Sequence, residues 1–210
     1  LGALLVSHFA DHGAKTAAGE SLSALQREAQ QLAEEGPDKP FLDVWFEDER
    51  NGFVVGVFNL ILKTGDGGKS WVPWVDRVDN PKRLHFYALR PVGKDLYLAG
   101  EQGMVLRLDA VSQRFKSVPV DYGGTLFGIT GKPGTVLVHG LRGSVFRSTD
   151  GGARWHKVDT GLSASLTASL VTEDGRIVLL SQAGHVIASG DDGATFRPVK
   201  VDQALPIAAA

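Results

Sequence analysis

Three carboxylates, Asp66, Asp150 and Asp191, stand in near-identical surroundings, and acids placed with such regularity invite a general acid–base reading. Their neighbours point elsewhere. Each lies two residues after a hydroxyl (Thr64, Ser148, Ser189), two before a glycine (Gly68, Gly152, Gly193) and five before an aromatic ring (Trp71, Trp155, Phe196). A short aspartate in a glycine turn accepts backbone N–H groups, so all twelve residues read as turn structure and no catalytic residue is assigned. A second set is cationic. Lys63, Arg107 and Arg147 share one register, and Arg142 occupies a hairpin turn where neighbouring units carry Gln102 and Gln182. Taken alone, these four read as solvated cations on blade edges, where a surface charge does little beyond solubility. With no cysteine there is no disulfide, thiol nucleophile or thiolate metal site. His8, Asp11 and His12 can share a helix face as a metal half-site, but without a clear further ligand they read as solvated polar residues, and no metal or cofactor is expected. A net charge of −2 supplies no basic face for nucleic acid.

The elements that hold these residues follow from self-similarity. Lys63-Thr64-Gly65-Asp66-Gly67-Gly68-Lys69-Ser70-Trp71 recurs at Arg147–Trp155 and again at Ser189–Phe196. A worn copy from Val105 to Phe115 keeps the strand and the terminal aromatic but not the Asp-Gly-Gly. The closing aromatics Trp71, Phe115, Trp155 and Phe196 are therefore 44, 40 and 41 residues apart. Upstream, Gly56, Gly100, Gly140 and Ser181 each end an apolar run, and Asn59, Gly103, Gly143 and Gly184 follow three residues later. Those pairs flank a tight hairpin turn that needs positive φ. Each unit reads as four short antiparallel strands, which is one blade of a β-propeller. Twenty-six glycines and a single methionine suit an all-β chain rich in turns.

The expected organisation is a helical insertion over residues 1–38 and four blades over 39–204, at about 41–80, 82–122, 124–162 and 164–202. Glu20 to Gly36 has a helical stripe in Leu22, Leu25, Ala29 and Leu32, with Ser21 as N-cap and Gly36-Pro37 as the stop. Leu1 to Asp11 is a candidate second helix. Residues 205–210 are expected to start a truncated fifth blade, making the chain a fragment of a larger ring. No run approaches the roughly twenty apolar residues of a membrane span.

The S/T-x-D-x-G-x-S/T-W pattern is the Asp-box. Blades reading V-G-x-x-G-x-I/V-x-R-S/T-x-D-G-G-x-x-W, with Gly36 through Phe46 and Asn51 through Gly56, resemble the photosystem II stability/assembly factor-like (BNR repeat) propellers, in particular their bacterial members. That resemblance implies a seven-bladed ring and a non-catalytic scaffold that assists a membrane-protein complex. It also implies an exported or periplasmic protein whose arginine-bearing surface meets a protein partner, which makes Lys63, Arg107, Arg142 and Arg147 the candidate contacts. The alternative is an Asp-box glycoside hydrolase of the sialidase kind, which needs paired acids or a tyrosine nucleophile with a glutamate base. Only Tyr87, Tyr97 and Tyr122 are available, Arg90-Pro91-Val92 lacks the sialidase signature, and Glu101 has no second acid at a repeat-related position.

Overall fold

The computed structural model describes residues 2–11, 27, 30, 34 and 39–201. Its strands fall into four sheets, each a four-stranded antiparallel meander. The first holds β1 (Phe41–Phe46), β2 (Gly52–Gly56), β3 (Ile61–Thr64) and β4 (Val72–Pro73) in that order. The second holds β5 (Phe86–Val92), β6 (Asp95–Gly100), β7 (Val105–Asp109) and β8 (Arg114–Ser117). In the third are β9 (Leu126–Lys132), β10 (Thr135–Gly140), β11 (Val145–Ser148) and β12 (His156–Val158). The fourth comprises β13 (Leu166–Val171), β14 (Ile177–Ser181), β15 (Val186–Ser189) and β16 (Arg197–Pro198).

By packing, the chain divides into two compact units, residues 1–86 with 109–116, and 87–108 with 117–210. Within the first, α1 (Gly2–Asp11) sets Leu5 in a buried position and packs beside β4. Trp71 covers a cluster of Val54, Leu60 and Leu62, and Phe53 meets both Trp74 and Phe115 edge-on. Within the second, Leu137, Val145, Val158, Leu166, Ile177, Leu179 and Ile187 form one continuous core between the third and fourth sheets. The second strand of a blade explains why its sequence is apolar without alternation: every residue of β2 and of β10 is buried. A strand covered on both faces loses the polar half of the β pattern.

The hairpins between second and third strands match the turn reading at all four places. Asn59, Gly103, Gly143 and Gly184 have φ of 65°, 71°, 68° and 83°. The residues before three of them, Phe58, Gln102 and Arg142, are left-handed as well, at 52°, 53° and 55°. Two successive positive φ values make a type I′ turn, whose twist suits a two-residue hairpin. The stripe expected over Glu20–Gly36 lies outside the described residues apart from positions 27, 30 and 34, which are helical and exposed. His12 and residues 205–210 also lie outside them.

Candidate functional site

Each Asp-box is a closed hydrogen-bond circuit. In the third sheet the Ser148 hydroxyl donates to Asp150 Oδ1 at 2.8 Å and accepts the Gly152 N–H at 2.9 Å. Asp150 Oδ1 in turn accepts the Arg154 N–H at 2.9 Å. Thr64, Asp66, Gly68 and Ser70 repeat the circuit in the first sheet, and Ser189, Asp191, Gly193 and Thr195 in the fourth. Donors aimed at the charged form hold these carboxyls below their ordinary range. Ser70, through hydroxyl and N–H, brings Asp66 to about 2. The Arg154 N–H leads for Asp150 and the Thr195 hydroxyl for Asp191. A carboxylate so held is a poor proton donor near neutrality.

The hydroxyl at the head of the box is buried in the third sheet, so its loss strands N–H donors away from water. Ser148→Ala is expected to cost about 1–3 kcal/mol of stability, and Ser148→Thr, the residue the first sheet uses, to restore most of it. Thermal melts of the three proteins check this, and an alanine variant melting with wild type would overturn it.

The worn second box closes its turn by other means. Asp109 Oδ1 accepts the Ser112 N–H and hydroxyl at 2.7 and 2.6 Å, and Lys116 pairs with Oδ2 at 3.1 Å. The closing aromatics face neighbouring elements: Trp155 donates its indole N–H to the Val118 carbonyl at 3.3 Å, and Phe196 packs on the core shared by the third and fourth sheets.

Of the four candidate cations, three are engaged within the fold. Arg107 Nη1 donates to the Gly151 carbonyl at 3.1 Å, and Arg147 Nε donates to the Asp192 carbonyl at 2.8 Å. Each guanidinium thus reaches from the third strand of one sheet to the Asp-box turn of the next. Lys63 instead lies over the rings of Phe53 and Trp74, at 5.4 and 4.7 Å. Arg142 stands apart from this register: it is exposed at a hairpin tip, and its guanidinium has no hydrogen-bond partner among the described residues. Of the tyrosines, Tyr97 is buried, Tyr122 donates its hydroxyl to the Leu141 carbonyl, and Tyr87 stands edge-on to Phe127. No cluster of three metal-ligating side chains occurs among the described residues.

Two residues that the repeat pattern did not single out join neighbouring sheets. Lys132 donates to the Gly175 carbonyl at 2.9 Å and pairs with the Asp192 carboxylate. His139, fully buried, donates from Nδ1 to the Leu166 carbonyl at 3.1 Å.

The family model described as photosynthesis system II assembly factor YCF48 matches residues 22–196. The chain belongs to this family. Among curated members, the photosystem II assembly lipoprotein Ycf48 of Synechococcus sp. (strain CC9902) is 26% identical over 162 residues, covering 75% of this chain and 48% of the relative. The chain therefore spans about half the length of the curated relatives it matches. A solved structure of YCF48 bound to D1 peptide superposes with a TM-score of 0.62 at 21% identity, covering 79% of this chain and 54% of that one. An ancestral GH74 enzyme superposes at 0.60 with 14% identity, over 78% and 24%. Likeness at such identities speaks to the fold alone, and the fold is that of β-propeller blades.

Proposed function

We propose that the protein is a non-catalytic propeller scaffold that holds a membrane protein during assembly of its complex. The YCF48 family match over residues 22–196 carries this reading. The name of the relative solved with D1 peptide supports a polypeptide partner, and the lipoprotein names of the curated relatives support an exported location. The Asp-box carboxylates, each closed into its own turn, support a non-catalytic role.

Arg142 is the contact we place first. A non-glycine residue in the left-handed region costs about 1 kcal/mol or more, a position at which glycine or asparagine sits with less strain. Nothing within the described fold uses its guanidinium, so that group is available to a partner carboxylate or main-chain carbonyl. Arg107 and Arg147 belong with it through their exposed portions, and Lys63 is a separate proposed contact, but reversal of any of the three also breaks contacts inside the molecule. The test is therefore Arg142→Glu in the full-length gene product, used as bait on detergent-solubilised membranes. A membrane protein held by wild type and lost by a variant with an unchanged melt is the expected result. The same capture by both baits, or none by either, would count against it.

A further inference from the structure

The seam between the second and third sheets differs from the next seam at two places, and both differences open space. Between the third and fourth sheets, Lys132 at the end of β9 spans to the Gly175 carbonyl and the Asp192 carboxylate. One blade earlier these three positions are Val92 at the end of β5, Gly134 in the β9–β10 turn, and Gly151 in the Asp-box. The ammonium and its carboxylate are lost together. In their place lies a cleft of about 570 Å3, and Val92, Gly134 and Gly151 all line it, together with Tyr97, Pro133 and Val136. That volume is in the range of small-molecule sites.

The chemistry of the cleft is polarised. Val92, Pro133 and Val136 make apolar walls, while Lys94 and Asp95 carry opposite charges at the β5–β6 turn. At the Gly151 wall a side chain would begin 2.7 Å from Arg107 Nη1 and 3.7 Å from the Tyr97 hydroxyl. In the next seam this is the position from which Asp192 extends its carboxylate. Among the described residues Arg107 has no carboxylate partner, although its guanidinium is only partly exposed. The guanidinium bonds to the Gly151 carbonyl and the Tyr97 hydroxyl, with the Asp95 carboxylate acting on that hydroxyl from the other side. An N–H group beyond those two bonds can take an incoming carboxylate, since charge-assisted bonds are the strong ones.

We propose that this seam binds a small organic monocarboxylate, with its acid group at Gly151 toward Arg107 and Tyr97 and its apolar body against Val92, Pro133 and Val136. The ligand takes the place that Asp192 and the Lys132 stem fill one blade later.

The probe is 3-phenylpropionate, titrated into the purified protein by NMR or calorimetry, with 3-phenylpropionamide as the uncharged match. The acid is expected to bind saturably and the amide about tenfold more weakly, the loss of one charge-assisted contact. Val92→Lys with Gly151→Asp rebuilds the neighbouring strap; position 192 shows that aspartate accepts the left-handed turn, at φ 56°. That double variant is expected to lose the acid; its left-handed aspartate must push the Arg107 tip aside, so its melt is read only to confirm that it is folded. Tyr97→Phe, which leaves the walls intact, is expected to weaken it severalfold. Absence of saturable binding, equal affinity for acid and amide, or undiminished binding in the rebuilt seam would each overturn the proposal.

Discussion

Gly143→Ala is expected to lower stability by about 3 kcal/mol or more, which for a chain of this size is a fall in Tm of roughly 6–12 °C. Two costs combine. Its φ of 68° lies in the left-handed region, where an L side chain costs about 1–2 kcal/mol. In addition, a Cβ at this position would stand 2.0 Å from the Leu162 carbonyl oxygen, a backbone atom that cannot swing aside. The turn and the Leu162 loop would have to part. Thr160, whose hydroxyl donates to the Gly143 carbonyl at 3.0 Å, would be drawn along. Gly161→Ala separates the costs: its φ is 67°, but nothing lies within 4 Å of the added carbon, so only the conformational part should appear. Equal melting of the two variants would remove the steric part of the argument. The first sheet shows the same turn without the obstruction. Asn59 holds φ 65° there and uses its side chain, donating to the Val75 carbonyl at 3.3 Å.

Acidification should unfold the protein in a window set by His139. The imidazole donates from Nδ1 to the Leu166 carbonyl, and its buried Nε2, close to Gly128, has no hydrogen-bond partner among the described residues. A second proton would have to enter at Nε2, which is buried and faces no acceptor among the described residues. Burial therefore lowers its pKa from 6.5 to about 4, and the bond to Leu166 only partly offsets that. The unfolded imidazole takes its proton near pH 6.5 and the native one near pH 4, so unfolding binds a proton between these values. Stability is complete above the higher pH, falls through the window, and levels below the lower one with about 3 kcal/mol gone. The Asp-box carboxyls act in the same direction but lower on the scale, from their unfolded pKa of 3.8 toward about 2 for Asp66. Denaturant melts of wild type and His139→Leu at steps from pH 7.5 to 4 separate the effects. The variant is less stable at neutrality, having orphaned the Leu166 carbonyl, yet its curve should be nearly flat across the window. A slope equal to that of wild type would assign the pH dependence elsewhere.

The contrast between these two sites marks what a single sequence discloses. Turn residues were legible because their demands are local. A left-handed glycine three residues after Gly140, or a serine two before Asp150, is written within a few positions and repeated at the same period. The ties between sheets are not local. Arg107 meets Gly151 across 44 positions, Arg147 meets Asp192 across 45, and His139 meets Leu166 across 27. The register of Lys63, Arg107 and Arg147 was visible. Its use was not, since a guanidinium bound to a main-chain oxygen leaves no mark on the residue at the far end. The same holds for the left-handed tips: Gln102 and Arg142 belong to no positive-φ class by composition, and only the two-residue hairpin forces them there. The cleft was invisible for a further reason. It arises where Val92 and Gly151 differ from Lys132 and Asp192, a comparison that requires knowing which positions face each other across a seam.

One property of those ties bears on how such a chain can change over time. Arg107 and Arg147 both end on a carbonyl oxygen, and the residue that bears it is glycine in one case and aspartate in the other. The donor half of each joint depends on a particular side chain, whereas the acceptor half is supplied by any residue that keeps the turn. Substitutions on the receiving blade are therefore silent at the joint. A duplicated blade can be accepted beside an arginine-bearing neighbour before its own sequence has adapted. Divergence is then free to run at the turn positions, as it has at 151 and 192, while the blades stay fastened.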